Sequence, residues 1–156
     1  RFEYERYGAK WKAANANIDK IHKLRDEQGY PIDTQLCTTW NVQNVYYVDE
    51  ILTWAATKNF DSIHFNLMHD PWEFSLHKLP KSARSEVMLY LQKQQIIHNK
   101  YAREIDSMKK IVASNIEENY TDGVALHNRL RQTDIYRNQN FAVSHTKMAT
   151  AIRYER

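Results

Sequence analysis

Side chains that can bind metals or move protons are concentrated in residues 61–80, which read DSIHFNLMHDPWEFSLHKLP. Imidazole and carboxylate groups are common metal ligands, and this segment offers His64, His69 and Asp70. However, His64 and His69 flank the end of a predicted strand and need not point the same way, and no H-E-x-x-H spacing is present. We therefore predict no metal site here. A strand histidine held by a hydrogen bond is the simpler interpretation.

Cys37 is the single cysteine among 156 residues. Paired with His64 it would be a nucleophile with its base, whereas a thiol in mid-strand is more often a small buried apolar side chain. One cysteine excludes an internal disulfide, a zinc ribbon and an iron–sulfur cluster held only by this chain's thiolates. The sequence therefore predicts no metal and no cofactor bound by this chain alone.

Two strands and the helix between them are predicted to position these residues. Residues 32–40 and 62–68 are bounded by turn residues and have the composition of strands. Between them, Asn44 can cap a helix that runs to about residue 58. This order indicates a βαβ unit, in which the two strands are parallel and joined by a right-handed crossover.

Polar residues follow the carboxyl end of both predicted strands. Parallel α/β sheets and barrels bind ligands beyond these ends, so the two loops could line one mouth. The alternative is turn chemistry alone, because an Asp before a Pro favours a turn without any ligand. The candidate ligand-binding residues are Thr39, Asn41, Asn66, His69 and Asp70.

Apolar and polar residues alternate along both predicted strands. Leu36 and Phe65 fall on one face, whereas Cys37 and His64 fall on the other. Parallel strands between two helix layers usually read as continuous apolar runs, so one polar face is typical of a sheet that lines a ligand-holding space. The predicted fold class is α/β, with two parallel strands of a partial (β/α) barrel followed by a helical C-terminal region.

Helices are predicted for the rest of the chain. One covers 9–28, and a pattern of three- and four-residue steps covers 81–117, as one helix or as two with a break near 92–95. The apolar seam of this pattern would pack against a neighbouring helix, in this chain or in a second copy, which makes a homo-oligomer a candidate partner. We predict that 1–80 and 81–156 belong to one domain.

Two further helices are predicted near the carboxyl end, with Thr121 and Ser144 as caps. Between them, Asp134 and Arg137 lie one helical turn apart. This spacing predicts a local ion pair that closes the helix.

The 22 basic and 19 acidic residues give a net charge of +3. They are interspersed along the helices, which is typical of a solvated surface, so we do not expect nucleic acid as a partner. No apolar run is long enough to cross a bilayer, and no signal peptide is recognisable. These features predict a soluble, cytoplasmic protein without a membrane partner.

Residues 38–80, TTWNVQNVYYVDEILTWAATKNFDSIHFNLMHDPWEFSLHKLP, resemble the later part of the twitch-domain radical SAM proteins of marine phages and bacteria. In that family a strand ends near an Asn-Val-Tyr-Tyr-type helix start. The following strand carries an Asn, then His and Asp or Asn before Pro, then Leu-Pro. Residues 133–141, TDIYRNQNF, are similar to the family's closing Asp-x-x-Arg-x-Gln-x-Phe segment.

The resemblance implies a partial (β/α) barrel and a C-terminal fragment of a radical SAM oxidoreductase-like protein. The family's [4Fe-4S] cluster, which binds S-adenosylmethionine, sits on a C-x-x-x-C-x-x-C loop upstream of the matched region. This chain lacks that motif, so the resemblance assigns both cofactors to the full-length parent and makes the chain alone catalytically incompetent. Thr39, Asn41, Asn66, His69 and Asp70 would line the cofactor mouth. The alternative function is a non-enzymatic helical interaction or oligomerisation module.

Overall fold

The computed structural model describes residues 1–114 and 123–155. The end of the helical pattern over 81–117 and the predicted cap at Thr121 lie outside the described residues.

The βαβ unit is present as predicted. β1 (Gln35–Trp40) and β2 (Ser62–Leu67) are adjacent and parallel, and α3 (Val48–Lys58) forms the crossover between them. α3 ends at Asn59, which adopts the left-handed conformation with φ of 54°. The fold class is therefore α/β with two parallel strands. The other helices are α1 (Phe2–Glu5), α2 (Trp11–Gln28), α4 (Lys81–Ile97), α5 (Ala102–Ala113), α6 (Val124–Arg137), α7 (Phe141–Ser144) and α8 (Thr146–Ala151).

Asn44 does not cap α3, and that prediction is wrong. It precedes a short 3-10 turn, Val45–Tyr47, and α3 begins only after this turn. The Asn44 side chain instead accepts from the backbone N–H of Asn41 at 3.0 Å and donates to the carbonyl of Thr39 at 3.0 Å. Its amide is therefore used at the strand end and is not available to the helix.

α2 ends as predicted at Gly29, whose φ of 69° is the left-handed conformation that suits glycine. Its apolar stripe is less buried than a core-facing stripe would be. Ile21 and Leu24 remain exposed, and His22 is the residue of this helix that is buried. α2 therefore lies at the margin of the core.

The helical pattern that starts at residue 81 forms two helices. α4 and α5 are joined by a 3-10 turn, Asn99–Tyr101, a few residues after the predicted break. The apolar seam of α4 packs against α5 in the same chain. The neighbouring helix that the pattern predicted is therefore α5. The seam residues buried in this way are Val87, Leu91, Ile105, Met108 and Val112.

The last helix does not start at Ser144, contrary to prediction. Asn140 is the cap, because its side-chain oxygen accepts from the backbone N–H of Val143 at 3.2 Å and starts α7. α8 follows directly after His145. Asparagine is as good an N-cap as serine, and Asn140, four positions before Ser144, is used to cap α7, whereas α8 begins without a side-chain cap.

One hydrophobic cluster joins the sheet to the helices. It contains Trp40 at the end of β1, Leu52 of α3 and Leu91 of α4. From the carboxyl end of the chain it contains Leu130 and Met148. The cluster packs against one face of the sheet, and the side chains of the opposite face are exposed to solvent. We call this opposite face the open face.

Candidate functional site

The two loops at the carboxyl ends of the strands are tied together by backbone hydrogen bonds. The N–H of Met68 donates to the carbonyl of Trp40 at 3.0 Å, which continues the ladder one residue past β2. The N–H of Val42 donates to the carbonyl of Phe74 at 2.8 Å. The structure therefore brings the predicted site residues of both strands to the carboxyl-terminal end of the sheet. We call this end the rim.

Asn41 is a positioning residue of the rim. It is buried, and its side-chain nitrogen donates to the carbonyl of Thr39 at 3.2 Å. Its side-chain oxygen accepts from the backbone N–H of Gln43 at 2.7 Å. Both ends of the amide are therefore bonded within the loop, so the side chain shapes the strand end and does not present itself to a ligand.

The other four predicted site residues are at least partly accessible. Asn66 is exposed and lies directly opposite Thr39, which is half-buried, in the strand register. His69 and Asp70 are exposed and follow β2, and the peptide bond between Asp70 and Pro71 is cis. These four side chains offer hydroxyl, amide, imidazole and carboxylate groups to a ligand at the rim.

The rim also contains a positively charged part that sequence reasoning missed. His77 is half-buried, and its Nδ1 lies 3.2 Å from the hydroxyl of Ser114. Burial lowers the pKa of His77, and the charges of His69, Lys78 and Arg84 lower it further. His77 therefore marks a place where His69, Lys78 and Arg84 come close together. No periodicity in the sequence indicates this grouping, because it depends on the path of the 3-10 turns Trp72–Phe74 and Leu76–Lys78.

An exposed aromatic ring borders this positive region. Trp72 follows the cis proline and is half-exposed, with the ammonium of Lys78 at 5.0 Å from the ring centroid. A flat ring next to cations can stack on a planar group while the cations attract a negative one. The rim can therefore hold a ligand that has both a ring and an anionic group.

The uncovered face of the sheet is polar, as predicted from the alternation. Gln35, Cys37 and His64 are exposed on it, and Cys37 lies opposite His64 in the register. The expectation that the thiol is a buried apolar side chain is wrong. The Cys37 thiol lies 3.5 Å from the side-chain oxygen of Gln35 and donates to it. The geometry therefore does not aim this thiol at the neighbouring imidazole.

Both outer edges of the sheet lack a further strand within the described residues, where the sheet has two strands. The bond from Met68 to Trp40 shows that the even-numbered residues of β1 and β2 direct their backbone groups at each other. The odd-numbered residues, such as Cys37 on β1 and Phe65 on β2, direct theirs outward. On β1 the outward carbonyl of Thr39 already accepts from the side chains of Asn41 and Asn44. The other outward backbone groups are suited to pairing with another strand.

The amino ends of the strands are held by Asp61. Its carboxylate accepts from the backbone N–H of Thr34 at 2.6 Å, from the Thr34 hydroxyl at 2.7 Å and from Arg25 at 2.8 Å. The two bonds from Thr34, together with the charge of Arg25, lower the pKa of Asp61 to about 2. This network joins α2 to both strands and fixes the end of the sheet opposite the rim.

A second polar cluster is built around Asp134, which is fully buried. Its carboxylate accepts from the hydroxyls of Tyr4 and Tyr154, each at 2.9 Å, and from the backbone N–H of Phe141 at 2.9 Å. Burial and the bond to Asp134 raise the pKa of Tyr4. The predicted ion pair of Asp134 with Arg137 is not what forms, because Arg137 donates to the carbonyl of Tyr4. We call this group the Asp134 cluster.

His145 extends the Asp134 cluster. Its ring stacks on Phe141 with centroids 4.8 Å apart, and its Nε2 lies 3.2 Å from a carboxylate oxygen of Glu5. Burial lowers the pKa of His145, while Glu5 acts in the opposite direction. The cluster fastens α1 to α7 and α8. Glu5 also accepts from the Asn44 side chain at 3.2 Å, which ties the cluster to the carboxyl end of β1, and within the described residues the Nδ1 of His145 is buried without a hydrogen-bond partner. The geometry of the cluster is that of a structural support.

Among residues 1–114 and 123–155, no three His, Cys, Asp or Glu side chains are grouped so that they could hold a metal ion. Within the same residues, no helix is both long and apolar enough to cross a membrane. In comparisons with family models, with curated proteins and with solved structures, nothing matches this chain. The resemblance to radical SAM proteins therefore depends on the quoted sequence segments alone.

Proposed function

We propose that this chain is the C-terminal part of a radical SAM oxidoreductase-like protein of the twitch-domain type, and that it is not catalytically competent by itself. One observation carries the proposal: a parallel strand pair with an exposed polar face, whose outer edges carry no further strand in the part of the chain that the structure describes. Parallel sheets are buried on both faces, and sheets usually have four to six strands. Such a pair is expected where further strands complete a barrel around a polar lumen.

The polar face and the rim have the chemistry that this role requires. Thr39 and Asn66 would lie at the mouth of the completed barrel, with His69 and Asp70 on the loop above them. S-adenosylmethionine has an adenine ring, hydroxyls, an amine and a carboxylate. A rim with hydroxyl, amide, carboxylate and cationic groups beside an exposed indole offers a partner to each.

The residues of this chain do not fit the iron–sulfur cluster of such an enzyme. A [4Fe-4S] cluster needs several thiolates, and this chain's only thiol, Cys37, lies in the middle of an exposed strand face. In the proposal the cluster and its chemistry belong to a C-x-x-x-C-x-x-C loop elsewhere in the parent. A cytoplasmic location is part of the proposal, because a reducing compartment protects such thiolates.

Iron and sulfide analysis after anaerobic reconstitution tests the proposal. We expect no stoichiometric cluster on the 156-residue chain. We expect about four iron atoms per chain on the same protein extended through the upstream C-x-x-x-C-x-x-C loop. A stoichiometric cluster on the short chain would contradict our interpretation of Cys37. An upstream reading frame without that loop would end the radical SAM assignment.

A further inference from the structure

Glu5 of α1 makes a contact with each of its two carboxylate oxygens. One oxygen lies 3.2 Å from Nε2 of His145, and the other accepts from the side-chain nitrogen of Asn44 at 3.2 Å. The same nitrogen of Asn44 donates to the carbonyl of Thr39, and the side-chain oxygen of Asn44 accepts from the backbone N–H of Asn41. A continuous path of hydrogen bonds therefore leads from His145 to two residues of the rim. We call the two contacts of Glu5 the Glu5 link.

The imidazole of His145 is enclosed in a way that makes a second proton costly. It is fully buried, and its ring lies against those of Tyr4, Phe141 and Tyr47, with centroids 5.1, 4.8 and 5.9 Å away. A carboxylate only accepts hydrogen bonds, so Nε2 carries the hydrogen that points at Glu5. Within the described residues, Nδ1 is buried without a partner. Protonation of Nδ1 would bury a positive charge and an N–H that lacks an acceptor.

The charges around His145 do not offset this cost. The titratable and charged groups on the elements packed around the ring are Arg1, Tyr4, Glu5, Tyr47, Asp134 and Lys147. The Asp134 carboxylate already accepts from its own three donors, and the cations of Arg1 and Lys147 lie at the ring of Tyr47. Burial, the largest influence, lowers the pKa of His145, Glu5 raises it and the positive charge of Arg1 lowers it. His145 is therefore harder to protonate in its packed position than in water.

We propose that the Glu5 link is acid-sensitive: proton uptake by His145 separates α1 from α7 and α8, and Glu5 then releases Asn44 and loosens the rim. A histidine that resists protonation in the packed state contributes stability that is fully present above about pH 6.5 and declines as the pH falls below that value. At neutral pH a ligand therefore meets a rim whose loop is held by Asn44, and in acid it meets a looser one. This inference is independent of the radical SAM proposal.

Amide hydrogen exchange measured by NMR from about pH 7.5 to about pH 5.5 tests the inference, because this range brackets the ordinary titration of histidine. The protection factor of the Asn41 N–H, whose acceptor is Asn44, should fall by up to about tenfold per pH unit, the slope that one proton allows. The N–H of Met68 donates to Trp40 at the same rim without involving Asn44, and its protection should stay constant. An equal loss at both positions, or no loss at Asn41, overturns the proposal.

Two histidine variants identify the group that binds the proton. His145→Phe keeps an aromatic ring in place and cannot be protonated, so the protection factor of Asn41 should no longer depend on pH. His22→Phe is the matched control and should keep the wild-type response. His22 is also buried against an aromatic ring, that of Phe60, and also has a ring nitrogen without a partner in the described part of the chain. A response that persists in His145→Phe would come from another histidine, such as His69 at the rim, and overturns the proposal, as does its loss in His22→Phe.

Glu5→Gln tests the link without changing His145, and it keeps the proposal falsifiable should His145→Phe fail to fold. The carboxylate of Glu5 favours protonated His145. Its removal should therefore shift the titration midpoint of the His145 ring, followed by NMR, to lower pH than in the wild type. A midpoint that does not move overturns the proposal.

Discussion

The open face of the sheet and the Asp134 cluster are both polar, but they differ in where their hydrogen bonds are made. In the Asp134 cluster, two tyrosine hydroxyls and a backbone N–H converge on one buried carboxylate. On the open face, His64 and Asn66 are exposed, and the outward backbone groups of both strands lack a further strand in the described part of the chain. A polar group that is bonded within the chain supports the fold. A polar surface left open at a strand edge is available to a ligand or to another strand.

The largest expected effect is that of Asp134→Ala. The substitution leaves the hydroxyls of Tyr4 and Tyr154 and the N–H of Phe141 without their acceptor inside the core. We expect the free energy of unfolding to fall by about 3 kcal/mol or more, since buried groups that lose a charged partner carry their full desolvation cost. Urea denaturation followed by circular dichroism measures the change. Tyr154→Phe, which removes one donor, is the control and should cost about 1 kcal/mol.

A loss below 1 kcal/mol for Asp134→Ala would show that the Asp134 cluster is not a support, and the contrast with the open face would disappear.

A smaller, pH-dependent effect is expected for Asp61→Asn at the amino ends of the strands. The pKa of Asp61 is about 2 in the folded chain, below its unfolded value of about 3.9. The carboxylate therefore contributes stability that is fully present above pH 4 and is lost as the pH falls through 2. Melting temperatures of wild type and variant should differ at pH 7 and converge near pH 2. A difference that stays constant with pH would mean that the charge of Asp61 does not act in this network.

The smallest effect on stability is expected on the open face. Asn66→Ala should change the free energy of unfolding by less than about 0.5 kcal/mol, because no core contact is lost. In the protein extended through the cluster loop, the same substitution should weaken S-adenosylmethionine binding, measured by calorimetry. Asn41→Ala is the informative companion, since its amide holds the loop and its loss should destabilise the chain by about 1 kcal/mol. Unchanged cofactor binding in Asn66→Ala would remove that residue from the proposed mouth.

The local patterns of the sequence predicted the sheet well. The alternation along each strand and the helix between them were sufficient to predict the parallel pair and to identify its open face. Both properties depend on residues that are close together in the sequence. The same reasoning predicted that Thr39, Asn66, His69 and Asp70 lie together at the rim. It did not predict that the side-chain amide of Asn41 would form hydrogen bonds within its own loop, because these bonds depend on the path of the following three residues.

The Asp134 cluster was missed for the opposite reason. Its bond from Tyr4 to Asp134 joins residues 130 positions apart, and no periodicity reports such a contact. The spacing of Asp134 and Arg137 favoured a local ion pair, but tertiary packing offered the carboxylate three better donors. The caps at Asn44 and Ser144 failed similarly, because a side chain that can cap a helix can also bond to a nearby strand end or turn.

The bonds from Tyr4 and Tyr154 to one carboxylate have a practical consequence for how this polypeptide can be re-engineered. Both ends of the described chain are held within a few residues of the same point. A short Gly/Ser linker could therefore join them, and new termini could be opened in the turn between α4 and α5. Such a circular permutant should keep the βαβ unit intact and would move a tag or fusion partner from the original ends to the turn between α4 and α5.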